Sequence, residues 1–176
     1  MELKQSMGVP AALAGCPEPA QAPPRVADPC TIVIFGATGD LAMRKLAPAL
    51  YNLKADGLLG EVFAVVGVGR DVLTPEVYRQ KIARDVREFG PNPTDVARAE
   101  WLSRRASYLA GSFDDEATYR RLREHLAERT DAPANVLFYL ATPPSLFGPI
   151  IERLGSVGLA DESPSAWRRV IIEKPF

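Results

Sequence analysis

A chain of 176 residues, 47% of them apolar and 24% charged, has the length and composition of one globular domain. Its 21 basic and 22 acidic residues leave a formal net charge of −1, which excludes a general electrostatic pull toward nucleic acid. Cys16 and Cys30 are the only cysteines and offer neither metal-ligand spacing nor a disulfide framework; a reducing, cytoplasmic setting fits, and no apolar run is long enough for a membrane span.

Residues 1–29 hold six of the sixteen prolines and six alanines without periodicity, and read as a disordered leader. Within it, Leu13–Cys16 (LAGC) imitates a lipoprotein cleavage box. The stretch before it balances Lys4 with Glu2 and is broken by Pro10, so it makes a poor signal peptide. Residues 30–176 are expected to form the domain. TIVIF (31–35) is a β-branched run suited to a strand buried on both faces. Ala42, Leu46, Ala49 and Leu53 then recur at helical spacing, with Pro48 set to kink or restart the helix and Gly57 to stop it.

EVFAVVGVG (61–69) reads as a second strand. Residues 74–90 read as a helix with a Thr74 cap, Pro75 at its first position, Glu76 in its first turn and Gly90 as its stop. A loop and short helix follow, then a strand at 106–111 and a helix at 114–130. A fourth strand at 135–142 is stopped by Pro143 and Pro144. A helix at 145–158 carries Gly148 and Pro149 in its first turn, and RRVIIEKP (168–175) is a fifth strand, read as buried. Strands alternating with helices at these intervals predict an α/β fold, a doubly wound parallel sheet.

In such sheets ligands bind at the carboxyl ends of the strands. The first strand–helix turn is GATGDLA, with Gly36, Gly39 and Ala42 at G-x-x-G-x-x-A spacing. Gly36 lets the chain turn, Gly39 lets backbone N–H groups approach a pyrophosphate, and small Ala42 lets the helix sit close to the sheet. Asp40 is placed to cap the helix. Arg44 and Lys45 sit one turn in, where the helix dipole disfavours cations unless an anion pairs with them. Glycine also serves such turns for conformation alone, but its place between a β-branched strand and a helix favours a nucleotide.

The second strand ends in VGVGR. Arg70 there suits the 2′-phosphate of NADP, where an NAD site favours an acidic residue; Asp71 follows at once, and phosphate recognition is favoured over the plainer reading, a solvated loop arginine. At the end of the fifth strand, Pro175 keeps Lys174 extended. Its ammonium suits a phosphate, a sugar hydroxyl or a nicotinamide amide; the plainer reading is a lysine snorkelling at a strand end.

GATGDLAMRKLAPALYNL, GVGR, LFYLATPP and VIIEKPF, in this order, resemble the coenzyme domain of glucose-6-phosphate dehydrogenase from about residue 31 onward. The resemblance implies a Rossmann-like dinucleotide-binding domain of an NADP-dependent oxidoreductase. That enzyme oxidises C1 of glucose 6-phosphate to the lactone, at the entry to the oxidative pentose phosphate pathway. It implies that Gly36, Ala37, Thr38, Gly39, Asp40, Leu41, Ala42 and Met43 form the dinucleotide turn. It assigns Arg70 to the 2′-phosphate, Ser112 to the adenine side and Ala141–Pro143 to the nicotinamide side. Lys174 would touch both cofactor and substrate, with Pro175 in the same motif.

The family's substrate motif, R-I-D-H-Y-L-G-K-E, and its second domain do not occur in these 176 residues. In the family that domain supplies the general-base histidine and most of a homo-oligomer interface. Removing a hydride from C1 needs a base for the hydroxyl proton, and His125, in LREHLAE, reads as a surface histidine. Cofactor binding without turnover is therefore expected, with association through the uncovered sheet. A non-catalytic nucleotide-binding regulatory module is the alternative. A short-chain-type reductase is excluded because Tyr51 and Tyr78 have Lys54 and Lys81 three residues on, not four.

Overall fold

The computed structural model describes residues 25–90, 96–129 and 132–173. The β-branched run places Cys30–Phe35 in an extended strand, β1, buried along its whole length. It pairs in parallel with β2 (Phe63–Gly69) on one side and β4 (Val136–Leu140) on the other. With β3 (Ala106–Ala110) and β5 (Arg168–Ile172) the sheet is all parallel, in the order β3-β2-β1-β4-β5. The direction of winding reverses between β1 and β4, so a crevice opens at their carboxyl ends.

Helices α1 (Ala47–Ala55), α2 (Pro75–Phe89) and α3 (Val96–Arg104) cover one face, and α4 (Glu116–Glu128) and α5 (Phe147–Ser156) the other. Alternation along β1 divides the core: Ile32 and Ile34 pack with Tyr51, Tyr78 and Leu102, while Val33 and Phe35 pack with Tyr119, Leu122 and Ile150. Burying each such side chain contributes about 1.5–3 kcal/mol, which is why both faces of the central strands read apolar. At the amino end of the sheet, Trp101 lies under Lys54 and Arg105 and donates from Nε1 to Glu61 at 2.9 Å, tying α1, α3 and the start of β2 together.

The predicted punctuation of α2 is present: Val77 N–H donates to Thr74 Oγ1 at 3.3 Å, Pro75 opens the helix and Gly90 closes it. Gly57 takes φ +71° just beyond α1. A 3₁₀ turn over Pro144–Leu146 runs into α5 and leaves Pro149 in the first turn, where its missing N–H costs no intrahelical bond.

Four expectations need correction. The stripe Ala42, Leu46, Ala49, Leu53 is buried only at its start, with Ala49 and Leu53 exposed. A π turn over Ala42–Leu46 carries one extra residue, so the chain buries Ala42, Met43, Ala47, Leu50 and Tyr51, and leaves Leu53 exposed. The fifth strand is not buried: it is the sheet edge, and Val170, Ile171 and Ile172 are 39–46% exposed. The leader does not run through residue 29 as unstructured chain. Ala27 bridges Leu59 in parallel and donates its N–H to Leu58 at 2.8 Å, and Pro29 O accepts from Asn135 at 2.9 Å. Lastly, His125 is half-buried rather than a surface group, as described below. Residues 1–24 lie outside the described residues. Among the described residues, no helix is long and apolar enough to cross a membrane, and no cluster of His, Cys, Asp and Glu is suited to a metal.

Candidate cofactor cleft

The site is built where β1 stops. Gly36 takes φ +81°, a conformation other residues adopt at a cost of about 1–2 kcal/mol. A Cβ there would come within 2.4 Å of the Ala141 carbonyl oxygen, so glycine lets the turn pass against the end of β4. The Gly36 and Ala37 N–H groups donate to Val68 O at 2.9 and 3.1 Å, and Gly39 N–H closes the turn onto Gly36 O at 3.0 Å. Asp40, Leu41 and Ala42 begin the helix, and among the described residues their N–H groups have no backbone acceptor.

A cleft of about 590 Å³ lies over this turn, within the range that ligand pockets occupy. It brings together Gly36, Thr38, Gly39, Arg70, Ser112 and Ala141–Pro143 from four separate strand ends. Arg70 is exposed and makes no hydrogen bond or ion pair within 4 Å among the described residues. Its charge still reaches Asp114. Chiefly the Ser112 hydroxyl, which donates to that carboxylate, and then the Asp114 N–H hold the Asp114 carboxyl below its usual range, with the Arg153 and Arg70 charges adding. Thr142 Oγ1, buried beside Gly36, has no hydrogen-bond partner among the described residues.

Not every residue of the turn presents a side chain to the cleft. Ala37, Ala42 and Met43 are buried in the α1–α3 core and offer only their backbone. Asp40 makes no capping bond; it is exposed and lies 3.6 Å from Arg44. Arg44 also stacks over Phe89 at 5.2 Å, so its charge is met by a carboxylate and a ring, outside the cleft. Lys45 is exposed and does not line the cleft either. Lys174 and Pro175 lie outside the described residues; the last described residue, Glu173, accepts a hydrogen bond from the Tyr139 hydroxyl.

Two tyrosines were missed from sequence. A Cβ on Gly67 would lie 2.5 Å from the Tyr78 hydroxyl, and one on Gly69 2.7 Å from the Tyr108 hydroxyl. The glycines of VGVGR thus accommodate rings on one face of β2. Glycines two apart in a buried strand were the available signal.

His125 Nε2 lies 2.9 Å from Ser107 Oγ, which also accepts from Arg129 at 3.3 Å. Ser107 precedes the carboxyl end of β3 by three residues, about 10 Å of extended chain, so His125 is remote from the cleft. Burial, and then the Arg129 charge, lower the His125 pKa. The unfolded chain therefore takes up a proton below about pH 6.5 that the folded chain resists, and stability is lost as pH falls through that value. The drop in melting temperature between about pH 7.5 and 5.5 is expected to shrink in His125→Gln. An unchanged drop in thermal melts at the two pH values would show that the His125 environment does not resist protonation.

Comparison with known proteins places this geometry. Residues 33–176 match the family model described as glucose-6-phosphate dehydrogenase, NAD binding domain. Glucose-6-phosphate 1-dehydrogenase of Chlamydia pneumoniae is 42% identical over 159 residues, covering 87% of this chain and 31% of the relative. That of Aggregatibacter actinomycetemcomitans is 44% identical over 156 residues, covering 85% and 30%. A solved glucose-6-phosphate dehydrogenase in complex with its substrate glucose-6-phosphate superposes with a TM-score of 0.69 at 32% identity, over 86% of this chain and 31% of that one. The chain thus spans about 30% of the length of the relatives it matches.

Proposed function

The chain belongs to the glucose-6-phosphate dehydrogenase family, as its NAD binding domain, and from that premise we propose that it binds NADP in the cleft over Gly36–Gly39. The observation that carries this reading is the cleft at the switch point, where Gly36, Thr38 and Gly39 of the turn meet Arg70 and Ser112. The cleft residues fit a dinucleotide on the chain's own terms. The N–H groups of Asp40, Leu41 and Ala42 suit a pyrophosphate, the exposed Arg70 suits a 2′-phosphate, and the orphan Thr142 hydroxyl suits a polar group at the nicotinamide side. Bound there, NADP would supply the hydride acceptor.

Residues 30–176 then act as the coenzyme domain of an enzyme oxidising glucose 6-phosphate at C1, in the cytoplasm, with Lys174 reaching both cofactor and sugar and homo-oligomers formed elsewhere in the protein. Ser112 lines the adenine side in this reading. Among the described residues no histidine stands beside Ala141–Pro143: Asp71 and Asp114 gather at the ends of β2 and β3, Glu173 follows the end of β5 and is engaged by the Tyr139 hydroxyl, and His125 lies behind. This chain alone is expected to bind NADP without turnover. An assay with glucose 6-phosphate and NADP checks this by absorbance of the reduced cofactor. Sustained turnover would overturn this expectation. The alternative, a regulatory nucleotide-binding module, has no specific observation in its favour.

A further inference from the structure

Arg70 stands on a turn held at both sides by the neighbouring strand. The carbonyl of Gly69, just before it, accepts from Gly111 N–H at 2.8 Å. The carbonyl of Asp71, just after it, accepts from the Tyr108 hydroxyl at 2.8 Å. Tyr108 is itself fixed. It is 8% exposed, its ring lies 4.9 Å from that of Tyr78, and its hydroxyl occupies the space a Gly69 side chain would fill. Burial, with the Asp71 charge, pushes its phenol up to about 12, so the hydroxyl keeps its proton and donates.

Arg70 has no hydrogen bond of its own among the described residues, so the direction of its side chain is set by this backbone. The peptide on its amino side is fixed main chain to main chain. The Asp71–Val72 peptide, one residue beyond Arg70, is fixed by a single side-chain hydroxyl. We propose that Tyr108 is a positioning residue for cofactor choice: by holding the Asp71 carbonyl, it aims Arg70 at the cofactor's 2′-phosphate and favours NADP over NAD. The inference rests on the reading of Arg70 given above. Tyr108 touches the turn and not the phosphate, and Gly69 is glycine because the hydroxyl must cross β2 to reach Asp71.

Tyr108→Phe removes the hydroxyl and keeps the ring that packs on Tyr78, so the fold is retained. Equilibrium titrations of the full chain with NADP and with NAD are made for the unaltered protein, Tyr108→Phe, Arg70→Ala and the double variant. Tyr108→Phe is expected to weaken NADP roughly 3- to 10-fold, the size of one neutral hydrogen bond, and to leave NAD within about twofold. Added to Arg70→Ala, it should leave the ratio of the two affinities where Arg70→Ala put it. A Tyr108→Phe variant that weakens both cofactors equally would make the tyrosine merely structural and overturn the proposal. So would an unchanged ratio in Tyr108→Phe while Arg70→Ala collapses it. An unchanged ratio in Arg70→Ala overturns the underlying reading of Arg70 instead, and the proposal with it.

Discussion

Gly36→Ala is expected to destabilise the chain by about 2–5 kcal/mol and to abolish NADP binding. Two costs add. The methyl group forces a φ of +81° on a residue with a Cβ, and it meets the Ala141 carbonyl at 2.4 Å, a backbone atom at the end of a central strand. Relief requires β1 and β4 to part at their carboxyl ends, where the cleft is. Gly39→Ala is the control: its φ is not positive, and its Cβ would meet only Gly36 O, at 3.2 Å. It should cost less in stability, because only a small local shift is needed. Urea denaturation measures both. A Gly36→Ala midpoint equal to that of the unaltered chain would contradict the close approach of the two strand ends.

Arg70→Ala is expected to weaken NADP by about 10- to 100-fold, the range for hydrogen bonds to a charged phosphate, and to leave NAD within about twofold. Asp114 sharpens the expectation. Its carboxylate is held charged chiefly by the Ser112 hydroxyl and its own N–H, so in the variant a negative charge without its Arg70 counter-charge would remain near the phosphate. The loss should narrow as salt is raised, since Arg70 is exposed and its field is screened. Calorimetric titration at two salt concentrations reads both effects. Equal loss of NADP and NAD affinity would assign Arg70 to the folding of the turn rather than to the 2′-phosphate.

Local chemistry made much of this fold legible. TIVIF, the Thr74-Pro75 start of α2 and the proline stop after β4 each act within a few residues, and each stands where its residues put it. The features that were misread depend on neighbours distant in sequence. Val170–Ile172 of β5 are as branched and apolar as the middle of β1, and it is their place at the sheet edge that exposes them. The π turn shifts the buried face by one residue, which no periodic count foresees. His125 sits among polar residues on α4, yet Ser107 of β3 lies against it. The Asp40 partner of Arg44 was within reach of the i,i+4 rule, whereas Phe89, at the far end of α2, was not.

The site divides in the same way. The glycine turn and Arg70 could be read because glycine at a strand–helix junction and a cation at a strand end carry their own physical reasons. Ser112 and Ala141–Pro143 came from the family resemblance, and it is the parallel register of β3 and β4 with β2 and β1 that brings them to the same edge. Tyr108 was invisible because its task, holding the carbonyl after Arg70, joins residues 37 positions apart.

The central claim is that a nicotinamide dinucleotide lies across the carboxyl ends of β1, β2 and β4. Amide hydrogen exchange of the intact chain, with and without saturating NADP, tests it most directly. Protection should rise in residues 36–43, 69–71 and 141–146 and stay unchanged at the amino end of the sheet, around Glu61 and Arg105. Saturation without protection of the glycine turn, or protection centred at the amino end, would contradict the account.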